Sequence, residues 1–203
     1  MLKKTDKYYK KKQHIIETAA SVFSQKGFYG TVISDIAKLA GIGKGTIYEY
    51  FASKEELFFA VFEWTNEEIK EAAQVGIAAL GETAAGRLRI FNGVFVDAFK
   101  EMKDMYTLTL EFWSAAAASP MRELFQQTFR EMYADYRQMV SAIIADGIRS
   151  GEFTTDADPS AVAAGIVGTW DALGLQAWLE KDFDLKGISN QFLDVIIAGM
   201  MGS

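Results

Sequence analysis

Between Thr31 and Leu57 the chain reads TVISDIAKLAGIGKGTIYEYFASKEEL. Ile33, Ile36, Ala37 and Ala40 fall at i, i+3, i+4 and i+7, one apolar stripe of a short helix. Thr31 is placed to cap its start, and Gly41 suits the left-handed position that ends it at about Ala40. After the turn Ile42-Gly43, the segment Lys44 to Phe51 is expected to bury Ile47 and Phe51 at i, i+4 while turning Lys44, Gly45, Tyr48 and Glu49 outward. Ser53 then caps a third helix, with Glu56 at the reciprocal position of a capping box and Ala52 and Leu57 spaced for a hydrophobic staple. Two short helices about a glycine turn, the second with one free face, have the layout of a major-groove reader.

The rest of the chain supports an all-α fold. Its 203 residues are 50% hydrophobic and include only two prolines, enough for a substantial core built from helices. There is no cysteine, which excludes a disulfide framework and a thiolate metal site. The start MLKKTDKYYKKK lacks the apolar core of a signal peptide, and no run of about 18 uncharged apolar residues follows. A soluble cytoplasmic protein without membrane association is expected. The net charge of −6 runs against a nucleic-acid partner until it is divided along the chain. Residues 1–54 hold 10 lysines against 4 carboxylates, net +6, and residues 55–203 hold 11 basic against 23 acidic groups, net −12. The basic end suits DNA and the acidic remainder repels it.

Helical periodicity continues on both sides of the opening stretch. Gln13 to Lys26 carries Ile16, Ala19, Ala20 and Phe23 on one stripe closed by Gly27. A helix is expected from Lys54 to about Ala73, another from about Thr83 to Met102, and a shorter one from Met105 to Ala117. Ser119-Pro120 and Asp158-Pro159 each set a capping residue before a proline, starting helices that run to Ser150 and to Leu179. Pro159 to Leu179 is apolar nearly all round, with Gly165, Gly168, Ala172 and Gly174 offering small surfaces for close approach. Ile188 to Met201 presents Phe192, Val195, Ile196, Gly199 and Met200, so the last two helices have more apolar face than one small domain covers.

Asp35-Ile36-Ala37, Gly41, Gly43-Lys44-Gly45-Thr46-Ile47-Tyr48, Tyr50-Phe51 and Ser53-Lys54-Glu55-Glu56-Leu57 together resemble the N-terminal domain of TetR-family transcriptional regulators. The continuous Tyr-x-Tyr-Phe-x-Ser-Lys-Glu-Glu-Leu ending is its most specific part. The resemblance implies about nine helices: a basic tail and helix-turn-helix domain over residues 1–54, and an effector-binding and dimerisation domain over residues 55–203. It implies a homodimer joined through the two C-terminal helices, binding double-stranded operator DNA as a repressor.

By the same resemblance Lys44 and Gly45 touch bases, and Thr46, Tyr48, Tyr50 and Lys54 grip phosphates. Tyr50 is alternatively a core aromatic, and Thr31 either donates to phosphate or caps its helix. Glu49 faces the groove as an acid, able to accept from a cytosine amino group. Lys3, Lys4, Lys7, Lys10, Lys11 and Lys12 track phosphates, enter a minor groove as basic arms do, or simply solubilise a tail. His14, the only histidine, has no second ligand nearby and reads as a surface residue or a phosphate contact rather than a catalytic base or metal ligand.

Phe95, Phe99, Met102, Trp113, Tyr133 and Trp170 are the candidate lining of an apolar effector site among the middle helices, with Asn92, Glu111 and Asp171 as polar groups nearby. For each, ordinary packing is the competing reading. A small hydrophobic or aromatic effector is expected, and no cofactor or metal. Gly41 to Thr46 lacks the Gly-Lys-Ser/Thr ending and preceding strand of a phosphate loop, and the adjacent pairs Glu55-Glu56 and Glu67-Glu68 diverge on their helices, so the chain carries no enzyme signature. A helical enzyme or ligand carrier, and an architectural DNA-binding protein without an effector, are the alternatives.

Overall fold

The computed structural model describes residues 2–101, 107, 110, 114 and 122–202. Among them lie eight helices and no strand: α1 (Leu2–Gly30), α2 (Ile33–Leu39), α3 (Lys44–Tyr48), α4 (Lys54–Leu80), α5 (Ala84–Glu101), α6 (Arg122–Ser150), α7 (Pro159–Leu179) and α8 (Leu185–Met201). Most of the segment expected as a further helix from Met105 to Ala117, and the Ser119-Pro120 cap, lie outside the described residues. The chain divides into two compact units, one built on Met1–Glu68 and the other on Ile69–Lys103 and Pro120–Ser203. The division falls inside α4, later than the change of charge at residue 54.

In the first unit, α1 buries Ile15, Ile16, Ala19, Val22 and Phe23. It begins at Leu2, so the basic tail is helical. Gly27 breaks it with φ 72 and ψ 170, a conformation glycine enters without a Cβ clash, and one more turn follows. Phe23, Phe28 and Phe58 cluster about this break, with ring centroids 4.8 to 6.2 Å apart. The stripe Ile33, Ile36, Ala37 and Ala40 is buried as expected, and Gly41 follows at φ 66.

The expected cap is a correction. Val32 is the N-cap of α2, with extended backbone and no side-chain cap bond. Thr31 is wholly buried, and its hydroxyl donates instead to the carbonyl of Gly27 at 2.7 Å, a group the break in α1 leaves within reach. Ser53 does cap α4, accepting from Glu56 N at 3.1 Å. The Glu56 carboxylate accepts from Ala52 N at 2.6 Å, and of the pair spaced for a staple Ala52 is exposed and Leu57 buried.

The core of the second unit joins Leu88 and Phe91 of α5, Tyr136, Val140 and Ile144 of α6, Val167 and Trp170 of α7, and Leu193 and Ile197 of α8. Side chains close the helix starts, whose amides have no partner within the helix. Thr83 Oγ1 accepts from Gly86 N, and the Glu152 carboxylate accepts from Ala84 N at 2.7 Å and Ala85 N at 2.8 Å. Asp158 accepts from Ser160 N with Pro159 in the first turn of α7. Asp184 accepts from Gly187 N and starts α8 three residues ahead of the expected Ile188. Gly147 leaves room for Phe153, whose ring a Cβ at that position would strike.

Candidate nucleic-acid interface and effector region

The reader surface is set by what α3 must bury. Ile47 and Phe51 are 0% and 2% exposed, and anchoring them turns Lys44, Gly45, Tyr48 and Glu49 outward while Thr46 and Tyr50 are half-buried. The Lys44 ammonium sits 5.8 Å from the Tyr48 ring centroid, one turn along the same face. A Cβ added at Gly45 would meet no atom of the protein, and its backbone is helical. The fold therefore has no need of glycine there, although glycine weakens a helix.

Two of the expected contact residues are engaged inside the protein. Thr31, buried and donating to Gly27, offers no surface to a phosphate. The ammonium of Lys54 donates to the carbonyls of Phe28 at 2.8 Å and Thr31 at 3.0 Å and lies 4.2 Å from the Phe28 ring centroid. It clasps the end of α1 to the start of α4. His14 Nε2 lies 3.3 Å from the carbonyl oxygen of Ala40, just past the end of α2.

In the second unit the structure gathers three of the expected effector residues. Trp170 stacks on Phe95 with centroids 4.5 Å apart and on Phe91 at 5.3 Å, and Tyr133 donates to Asp171 at 2.7 Å. Phe99 packs instead on a smaller cluster of Val96, Leu173, Ala177 and Leu185. Met102, Glu111 and Trp113 lie outside the described residues. Asn92 is 2% exposed and is bonded through both its oxygen and its nitrogen: its carbonyl accepts from Trp170 Nε1 at 3.0 Å and Ser189 Oγ at 2.7 Å, and its amide donates to Asn190 at 3.0 Å. Burial pushes the Asp171 carboxyl above its ordinary value, and the Tyr133 hydrogen bond opposes that rise.

Family models cover both parts of the chain. Residues 15–61 match "Bacterial regulatory proteins, tetR family", and residues 84–197 match "BetI-type transcriptional repressor, C-terminal". The chain belongs to the TetR family.

It is thus a DNA-binding transcriptional regulator rather than an enzyme. This TetR-family protein is 28% identical to the fatty acid metabolism regulator protein of Bacillus subtilis, with 98% of each chain covered. It is 30% identical to the uncharacterised regulator YhgD of the same organism over 70% of this chain and 71% of that one. Among solved structures, a TetR transcription regulator from Haloarcula marismortui shares the fold with a TM-score of 0.81 at 22% identity, covering 95% of this chain and 98% of that one. The regulator FadR from Bacillus subtilis in complex with stearoyl-CoA gives 0.72 at 24%, covering 92% and 98%. Among the described residues no helix is long and apolar enough to cross a membrane, and no group of side chains is arranged to hold a metal.

Sequence reasoning overlooked one part of the reader surface. Tyr8 stacks on Tyr50, with ring centroids 4.6 Å apart and an angle of 27°, and so fixes a phenol expected to grip phosphate. No local pattern announces a contact between residues so far apart.

Two outcomes follow from these placements. Gly45→Ala should stabilise the first unit by about 0.5 to 1 kcal/mol in chemical denaturation while weakening DNA binding in a gel shift; a variant that is both more stable and equally tight would remove Gly45 from the interface. Asp171→Asn keeps an acceptor for Tyr133 and abolishes the buried charge. Because the folded carboxyl titrates above its unfolded value of 3.8, the stability linked to its proton is complete below that pH and lost as pH rises through the folded value. The melting temperature of Asp171→Asn relative to the parent should therefore climb with pH above about 4, and a flat difference would show that the carboxyl is not desolvated.

Proposed function

We propose that this regulator is a homodimeric repressor that two copies of α3 seat on a partly palindromic operator, and that a mainly apolar ligand bound near Trp170 releases it. The free face of α3 carries the DNA half of the reading: Lys44 and Gly45 at its start meet base edges, and Tyr48 meets backbone or base according to its tilt in the groove. Glu49 shapes base preference, and Thr46 and Tyr50 donate hydroxyls to phosphate.

Dimerisation is supported by a second outward face. On α7 the exposed residues Ala161, Gly165, Gly168, Ala172, Leu175 and Leu179 form one stripe, and Cβ atoms at the two glycines would meet nothing. On α8 Ile188, Val195 and Gly199 are exposed at matching spacing, with Phe192 half-buried between them. Small residues on one helix and apolar ones on the other suit close helix packing across a two-fold axis. Ile196 and Met200, expected on this face, pack inward on the core.

For the ligand, the relative named for fatty acid metabolism and the related fold solved with stearoyl-CoA point to a long acyl chain. The aromatic cluster about Trp170 is compatible with such a chain, and Asp171 with Tyr133 supplies the polar group at its edge. α4 is continuous across the division between the units, and its first turn is clasped by Lys54 to the end of α1. Displacing α4 therefore moves the reader, and DNA tolerates little change in a half-site spacing of about 34 Å.

A gel shift on the DNA flanking the regulator's own gene, repeated with stearoyl-CoA and with free stearate, tests the reading. Binding that persists unchanged when acyl-CoA quenches tryptophan fluorescence would exclude that ligand as effector, and failure to prefer the flanking DNA over unrelated duplex would exclude the repressor reading.

The interface has its own test. Val195 is 70% exposed in the single chain, so Val195→Glu should leave the monomer folded and convert a sedimenting dimer to monomer. A parent that sediments as a monomer at micromolar concentration overturns the two-half-site arrangement.

A further inference from the structure

We propose that the lysine-rich start of α1 is a second DNA-binding element, a helical strut that lies along the phosphate backbone beside the half-site read by α3. The inference rests on the reading of α3 as the base-contacting helix and adds a sequence-independent grip to it.

Residues 2–12 contain six lysines and one carboxylate, Asp6. Lys7 and Lys10 are exposed and Lys11 and Lys12 half-buried, and residues 6–12 add nothing to the buried core, which begins at Ile15 among the described side chains. Lysines at three- and four-residue spacing repel one another along a helix, so a free basic tail has reason to stay unfolded. Here it is ordered and anchored. Tyr8 is stacked on Tyr50, the Lys12 ammonium lies 5.5 Å from the Phe51 ring centroid, and His14 meets Ala40.

These anchors all lie at the ends of α2 and α3. The strut is therefore fixed to the same elements that present Lys44 and Gly45, and whatever duplex α3 enters is the polyanion nearest to its lysines. A pre-ordered row of ammonium groups, held by aromatic contacts at a cost the fold has already met, matches a backbone carrying about one charge per 1.7 Å of duplex. Lysine acts on phosphate as a point charge without bidentate geometry, which suits backbone tracking rather than base reading.

Asp6 moderates the element. It pairs with Lys10 at 3.2 Å, with both side chains mostly exposed, and holds one cation out of the row.

The test measures the affinity of the full-length protein for the flanking DNA and for an unrelated duplex over a range of salt. The combined Lys7→Ala, Lys10→Ala, Lys11→Ala variant should lose affinity for both duplexes by the same factor, about tenfold or more at low salt. The slope of log affinity against log salt should become shallower by about 0.9 for each lysine that meets a phosphate. Tyr8→Ala keeps every lysine yet should lose affinity for both duplexes, and Tyr8→Phe, which keeps the ring, should restore it. Asp6→Asn should move the other way, tightening binding and steepening the slope. Far-UV circular dichroism checks that each variant stays folded.

If the parent prefers its operator but the triple variant keeps the same affinity and slope, the strut is wrong and the reader stands. A loss confined to operator DNA, or one that depends on A·T against G·C flanks, overturns backbone tracking in favour of base or groove reading. Lysine-dependent binding to phosphatidylglycerol vesicles with unchanged duplex binding overturns the DNA assignment. A parent that binds no duplex removes the reader and the strut together.

Discussion

The amide of Asn92 decides how the second unit is put together. It is buried between helices, and leaving a buried polar group unpaired costs about 1 to 3 kcal/mol. Its carbonyl takes hydrogen bonds from Trp170 of α7 and Ser189 of α8, and its amide reaches Asn190. This matters most for α7, which is apolar nearly all round and so has no face that hydrophobicity alone would choose to bury. Trp170 makes the choice. With its indole N–H directed at Asn92, residues 163, 166, 167, 170, 173, 174 and 177 turn inward, and the stripe of alanines and glycines from 161 to 172 is left outside. The outward face is thus a consequence of one buried hydrogen-bond junction.

The first unit obeys the opposite rule. There the informative side chains are those the fold leaves unused. Lys44, Gly45, Tyr48 and Glu49 contribute no buried surface, and Gly45 weakens its own helix without an internal reason. Thr31 and Lys54 are consumed by the scaffold: one hydroxyl and one ammonium satisfy the carbonyls that the break at Gly27 and the end of α1 expose. The scaffold's polar requirements are met close to the reader, which leaves the outward face of α3 available for DNA.

Period and punctuation in the sequence located most helices well. Asp158-Pro159 marks the start of α7, Gly41 the end of α2, and Ile47 with Phe51 the buried side of the reader segment, although α3 itself stops at Tyr48, short of the expected Phe51. Thr31 was misread because capping and bonding back to Gly27 are both available to a hydroxyl at that point, and the choice depends on a kink that periodicity does not show. The helical state of residues 2–12 was hidden because they have no apolar stripe, and the stack of Tyr8 on Tyr50 spans 42 positions of sequence. On α8 the inner stripe Leu185, Ser189, Leu193, Ile197 and Met200 contains a serine, and its bond to Asn92, far away in sequence, is what makes that stripe the buried one. Without it, Val195 and Ile196 are indistinguishable as interface candidates.

Coupling between ligand and DNA has to be paid for in differences, since a ligand shifts a regulator only by binding its two states unequally. Around Trp170 the aromatic rings already satisfy one another, with Phe95, Phe91 and Tyr136 all within 6.2 Å of the indole, so the ligand proposed for this region would have to replace those contacts. Repacking there reaches α4, because Ile69, Ala73 and Ile77 of its second half rest on the same core. The first half of α4 carries Lys54, whose ammonium donates to the carbonyls of Phe28 in the last turn of α1 and of Thr31 just after it. α4 thus contributes Ile69, Ala73 and Ile77 to the core of the second unit and Lys54 to the clasp at the end of α1 in the first. A preference of about 2.7 kcal/mol between the two states suffices for a hundredfold loss of operator affinity, and by reciprocity bound operator weakens the ligand by the same factor.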